Sequence, residues 1–113
     1  MAKIVSLRLN SDFRRAYGRG KSQADANLVT YALRNRVGIC RYGITTGKKI
    51  GIAVERNRCR RVIRAAYASL APECSGGWDI VFVARGRTKE LKSTAVERSM
   101  RKQLAALGVL KVG

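Results

Sequence analysis

Apolar residues recur along this chain with two different periods, and glycines and a single proline mark where the period changes. Residues 11 to 17 (SDFRRAY) place Phe13, Ala16 and Tyr17 at i, i+3, i+4 spacing. That spacing predicts a short helix with Ser11 or Asp12 as its cap and Gly18 and Gly20 as its end. Residues 28 to 34 (LVTYALR) alternate instead, with Val29, Tyr31 and Leu33 on one side and Leu28, Thr30 and Ala32 on the other. This is a strand pattern rich in strand formers. Asn35 and Gly38 supply a turn, a second strand follows at residues 40 to 46, and Gly47, Lys48 and Lys49 interrupt it. Residues 50 to 54 (IGIAV) read as a short third strand.

The next segment is the clearest helix. From Arg56 to Leu70, one stripe carries Cys59, Val62, Ile63, Ala66 and Leu70, and the opposite arc carries Arg56, Asn57, Arg60, Arg61 and Arg64. The period is helical, and Pro72, Gly76 and Gly77 end it. Residues 78 to 84 (WDIVFVA) are almost continuously apolar, which predicts a strand buried on both faces, with Trp78 and Phe82 in the core. A last helix is expected from Thr94, with Thr94 and Glu97 as a capping box. Val96, Met100, Leu104 and Leu107 form its stripe, and Gly108 is its stop. The predicted order is α-β-β-β-α-β-α, an α+β sandwich of helices on one small sheet.

Length adds that 113 residues suit one domain, spanning residues 1–113. Hydrophobic residues make up 46% of the chain, enough for a modest core and too many for a disordered basic tail. No apolar run is long enough to span a bilayer, and the N-terminus lacks the apolar segment of a signal peptide, so a cytoplasmic protein is expected.

Charge changes the picture most. The 24 Lys and Arg residues stand against 7 Asp and Glu, for a net charge of +17. A chain this small at that charge repels itself, and a polyanion is its natural partner. Arginines dominate between residues 56 and 64, where Glu55 is the only nearby acid. Arginine binds phosphate in a planar, bidentate way and stacks on bases, whereas lysine acts as a point charge. Like charges at helical spacing cost a few tenths of a kcal/mol each, roughly, unless phosphates sit between them. Phe13, Tyr17 and Tyr31 form a second constellation, able to line a groove where unpaired bases stack.

Enzyme templates fail. The chain has no histidine, and its carboxylates (Asp12, Asp25, Glu55, Glu73, Asp79, Glu90 and Glu97) are scattered, so neither a nucleophile–base pair nor a metal-ligand set is expected. Cys40, Cys59 and Cys74 lack zinc-site spacing and read as small apolar residues.

Read together, these segments resemble the protein subunit of bacterial ribonuclease P from about Leu7 to Leu110. The most specific stretch is RYGITTGKKIGIAVERNRCRR, with RNR at Arg56, Asn57 and Arg58. RLNSDFRRAYGRGK, LVTYAL and WDIVFVARG resemble the family's opening, first strand and late strand in the same order. Two positions depart from the pattern. Gly47 stands where serine is frequent. Ile52 replaces a frequent asparagine and carries no polar atom for a contact with RNA or a metal-bound water.

The resemblance implies a ribosomal protein S5 domain 2-like fold with a left-handed β-α-β crossover, against the usual hand. It implies that Lys48, Lys49, Arg56, Asn57, Arg58, Arg60, Arg61 and Arg64 bind the catalytic RNA subunit. It places the 5′ leader of precursor tRNA against Phe13, Tyr17, Val29, Tyr31, Ala84 and Arg85. The RNA subunit and its Mg²⁺ ions would carry out the phosphodiester hydrolysis, and the free protein would be monomeric. A ribosomal or other rRNA-binding protein is the alternative, since composition alone does not separate the two.

Overall fold

The computed structural model describes residues 4–110. Five strands form one mixed sheet: β1 (Val5–Ser6), β2 (Lys21–Ala24), β3 (Leu28–Arg34), β4 (Cys40–Thr45) and β5 (Trp78–Ala84). Three helices complete the fold: α1 (Asn10–Arg19), α2 (Ala53–Leu70) and α3 (Ser93–Leu107). The sheet order is β1-β4-β5-β3-β2. β4 and β5 are parallel neighbours joined through α2, while β3 pairs antiparallel with β5 and with β2.

The two periods of the sequence become the two sides of this sheet. Leu28, Thr30 and Ala32 of β3 lie opposite Ala84, Phe82 and Ile80 of β5 on the side covered by α2 and α3. The α2 stripe (Cys59, Val62, Ile63, Ala66 and Leu70) is buried there, joined by Tyr67 and by Val96, Met100 and Leu104 of α3. Tyr67 stacks on Tyr42 at 4.8 Å and touches Phe82 at 5.4 Å between ring centres. Trp78 is only half-buried at the edge of this core, with the guanidinium of Arg34 5.0 Å above its ring. A single helix, α1, covers the other side, where Ala16 and Leu7 pack on Val81, flanked by Phe13, Tyr31 and Val83. β5 is thus covered from both sides, as its apolar run predicts.

Four local expectations are corrected. Residues 50–54 are not a strand: Lys48–Ile50 form a 3₁₀ turn, Gly51 has φ of +141°, and α2 already starts at Ala53. Glu55 causes the early start, because its carboxylate accepts the Ile52 N–H at 3.1 Å and satisfies one donor of the first turn. Ile52 and Val54 therefore point to solvent. The three strands between the first two helices are β2, β3 and β4, and β1 precedes α1, giving β-α-β-β-β-α-β-α.

Neither Ser11 nor Asp12 caps α1. Leu9 occupies the cap position without a side-chain bond, and Asp12 is buried against Arg15. Gly18 lies inside α1, which ends at Gly20, where a side chain would collide with the carbonyls of Ala16 and Ala32. The Thr94–Glu97 capping box does not form, because α3 starts one residue earlier, at Ser93. Its stop is as expected, with Gly108 left-handed at φ +86°.

Candidate nucleic-acid interface

Burying the α2 stripe forces the opposite arc of that helix outward. Asn57, Arg60, Arg61 and Arg64 are exposed and Arg56 is half-buried, while Lys48 and Lys49 stand exposed on the 3₁₀ turn just before the helix. Cations gather here, beside the N-terminal turns of a helix, where the macrodipole already favours anions. The one carboxylate among them is neutralised. Glu55 meets the Lys89 ammonium at 3.1 Å and the Ile52 N–H, and these hold its carboxyl below the usual range.

The predicted RNA-facing residues are not equivalent. Arg64 donates to the Tyr42 hydroxyl at 3.2 Å. Arg58 turns back on the protein, donating to the Lys89 carbonyl at 2.8 Å and the Leu91 carbonyl at 3.3 Å. The side chains of Arg56, Asn57, Arg60 and Arg61 remain without such bonds among the described residues.

On the other side of the sheet, Phe13 and Tyr17 project from successive turns of α1. The Phe13 ring lies on Gly43 of β4, in a space that only a glycine leaves open. Tyr17, 38% exposed, meets Tyr31 edge-on at 5.0 Å between ring centres, and its hydroxyl pairs with that of Thr45. An open groove of about 550 Å³ runs along this wall, bordered by Asn10, Arg14, Thr45 and Arg60. Arg60 comes from α2, so the groove and the arginine face adjoin.

Val29 shares the side of β3 that holds Tyr31, opposite Val83. Ala84 does not: it pairs with Leu28 and faces the α2–α3 core, so its side chain is turned away from the groove. Arg85 is exposed, but its guanidinium donates to the Asp25 carbonyl at 3.3 Å, at the turn before β3. Asn10, Arg14 and Thr45 border the groove without standing out in the sequence. Asn10, Arg14 and Tyr17 share one helical face, so that spacing was a usable signal.

Among the described residues, no three Cys, Asp or Glu side chains come close enough to hold a metal ion, so the chain's own donors do not fit a resident Mg²⁺. No helix among the described residues is long and apolar enough to cross a membrane.

Comparison with known proteins decides the family. Residues 1–108 match the family model described as Ribonuclease P. The chain belongs to the ribonuclease P protein family. It is 44% identical over 104 residues to the ribonuclease P protein component of Pelotomaculum thermopropionicum, covering 92% of this chain and 93% of that one. It is 40% identical over 100 residues to that of a Thermoanaerobacter species, covering 88% and 86%. The Staphylococcus aureus RNase P protein superposes with a TM-score of 0.83 at 30% identity, covering 96% of this chain and all of that one. The Thermotoga maritima RNase P protein gives 0.77 at 26% identity, covering 94% and 97%. The ribosomal-protein alternative is thereby set aside. The chain is the protein subunit of an endoribonuclease that processes tRNA, and its partner is an RNA.

Proposed function

We propose that the arginine face of α2 docks on the ribonuclease P RNA, while the aromatic groove beside α1 holds the single-stranded 5′ leader of precursor tRNA. The carrying observation is that the two surfaces differ in chemistry and meet at Arg60. The α2 face offers free guanidinium groups suited to phosphates. The groove offers the rings of Phe13 and Tyr17, the latter braced edge-on from behind by Tyr31, suited to unpaired bases of any sequence. One bound RNA assembly can therefore present its duplex backbone to the first surface and a single strand to the second.

Ribonuclease P is a metal-dependent ribonucleoprotein enzyme. The scattered carboxylates of this chain support placing Mg²⁺ and the hydrolytic chemistry with the RNA subunit. The protein then contributes binding: it anchors the leader, raises affinity for precursor over mature tRNA, and neutralises phosphates that would otherwise demand more Mg²⁺. We read the free protein as a cytoplasmic monomer, kept apart by its charge of +17.

The test is cleavage of precursor tRNA at physiological Mg²⁺ with protein alone, RNA subunit alone, and both. The protein alone is expected to be inactive and to raise cleavage efficiency when added to the RNA. Site-specific cleavage by the protein without RNA would refute the division of labour. Affinity for the RNA subunit should also fall steeply with salt, by several log units per log unit if roughly 5 to 8 phosphates are neutralised.

A further inference from the structure

We propose that Arg58, the second arginine of the RNR segment, is a positioning residue: acting through Lys89, it locks the Lys48–Ile50 turn against α2, so that Lys48 and Lys49 meet RNA in a preset arrangement. This rests on the reading of the α2 face as the RNA-subunit surface, and it assigns a different task to one member of that surface.

The bonds form a continuous path. Two guanidinium nitrogens of Arg58 reach the carbonyls of Lys89 and Leu91, at 2.8 and 3.3 Å, across more than thirty residues of sequence. Those carbonyls belong to the 3₁₀ turn Thr88–Glu90 and the residue after it. Held there, Lys89 extends its ammonium to the Ile50 carbonyl at 3.0 Å and to Glu55 at 3.1 Å. Ile50 closes the turn that carries Lys48 and Lys49, and Glu55 in turn accepts the Ile52 N–H. Gly51, at φ +141°, lies directly under the Glu55 carboxylate, so the turn and the helix start are packed as one piece. The Nε and one Nη of Arg58 are thus committed to backbone carbonyls, neutral acceptors that leave the positive charge uncompensated, while the side chain stays exposed and its other Nη has no partner among the described residues.

The energetic reason is preorganisation. Two adjacent lysines on a loose turn lose conformational freedom when phosphates bind them. A turn already fixed has lost that freedom on folding. A direct phosphate contact and a positioning contact leave different signatures in salt. Each ionic contact removed lowers the slope of log affinity against log salt by about one unit, whereas lost preorganisation lowers affinity without changing how many phosphates are neutralised.

The experiment measures binding of the full chain to its RNA subunit over a range of salt. The variants are Arg58→Ala, Arg58→Lys, Arg61→Ala, and Arg58→Ala in a Lys48→Ala/Lys49→Ala background. Hydrogen exchange is followed at the Gly51 and Leu91 amides, which close the two turns. Arg58→Ala should weaken binding about five- to tenfold, the scale of ordering a few side chains. The salt slope should stay unchanged, and both amides should exchange faster while the melting curve remains cooperative. Arg58→Lys keeps the charge but loses the two-pronged grip, so it should recover little. Arg61→Ala should lower the slope by about one unit. Without Lys48 and Lys49, losing Arg58 should cost less than about twofold, because coupled residues are not additive.

A slope reduced by Arg58→Ala and full affinity restored by Arg58→Lys would overturn the proposal and make Arg58 a phosphate contact. So would an undiminished effect in the double-lysine background. An Arg61→Ala variant with unchanged affinity and slope would refute the α2-face reading instead, and the coupling between Arg58 and the two lysines would still decide the clamp.

Discussion

The ring of Phe13 rests on the backbone of Gly43 in β4, so close that any side chain at position 43 would overlap it. This one contact sets how closely α1 approaches the sheet and how deep the groove beside it is. Gly43→Ala should therefore push the Phe13 ring outward. The colliding atoms are the far edge of a half-buried ring, so the ring can yield. Overpacking of this kind costs about 1–3 kcal/mol, partly offset by the 0.5–1 kcal/mol or so that alanine gains over glycine within a strand. A small loss of melting temperature is expected, with a selective loss of affinity for precursor over mature tRNA. Unchanged precursor affinity in a folded variant would show that the groove does not hold the leader.

Tyr17 and Tyr31 form one edge-to-face pair, yet their substitutions should separate. Tyr17 is substantially exposed, and among the described residues its hydroxyl bonds only to Thr45. Tyr17→Ala should leave melting nearly intact and weaken precursor tRNA relative to mature tRNA by about 0.5–2 kcal/mol, somewhat less than a full base stack. Tyr31 packs against the cluster of Leu7, Ala16 and Val81, so Tyr31→Ala should lower stability as well, by about 2 kcal/mol or more. Thermal melts and paired binding curves check both. Equal loss of both tRNAs with Tyr17→Ala would count against the stacking wall.

The sequence and the structure part company where the decisive partner is distant. β3 and β5 span the predicted residues because alternation in one and a solid apolar run in the other are local signals of burial. β2, by contrast, is four exposed residues, KSQA, with no apolar pattern; it is a strand because the open edge of β3 offers hydrogen bonds. IGIAV has strand composition, but Glu55 caps the backbone at Ile52 and turns it into a helix start. The arginine arc was legible because helical period alone sorts α2 into two faces. The inward turn of Arg58 was not, since its acceptors lie at Lys89 and Leu91. The resemblance implies Ala84 at the leader surface, but its inward orientation is not legible in a nearly continuous apolar run, because side-chain parity along β5 becomes fixed only by its register with Leu28.

Acid should weaken the fold through identifiable carboxylates. Lys89, then the Ile52 N–H, holds Glu55 below the ordinary glutamate value of 4.5. Arg101, paired at 2.8 Å, does the same for Glu73. At Asp25 burial pushes upward, but the Asn27 and Leu28 N–H groups, donating at 2.8 and 3.0 Å, together with the nearby polar side chains of Ser99 and Gln103, outweigh it and hold the group below 3.8. Folded values below unfolded ones mean that the unfolded chain takes up protons first. The stabilisation is thus complete above about pH 4.5 and is lost as pH falls through the lowered folded values. Melting temperature should be flat near neutrality and decline below that point. Glu55→Gln should lower it at pH 7, and the difference from the parent should shrink as the pH falls below 4.5. A difference that persists in acid would show that Glu55 acts by packing and not by charge.

Thr30 and Gln103 form a buried polar pair in the core, on the side of the sheet away from the groove. The Thr30 hydroxyl donates to the Gln103 side-chain carbonyl at 2.6 Å, and the Gln103 amide donates to the Leu28 carbonyl at 2.8 Å. All of this is buried between β3 and α3. Thr30→Val keeps the shape and the strand preference but leaves the Gln103 oxygen without a donor, which should cost about 1–3 kcal/mol. Replacing Gln103 with Met as well removes the stranded polar group. The Leu28 carbonyl keeps a partner, because it also accepts the Asp25 N–H at 3.0 Å. The double variant should therefore be more stable than Thr30→Val alone, although it carries one more substitution. At about 4–8 °C per kcal/mol for a domain near this size, the recovery is large enough to resolve by melting. Affinity for the RNA subunit should be unchanged in both variants, since neither residue lies on the arginine face or in the groove. Additive losses from the two substitutions would mean that the pair does not act as one buried unit.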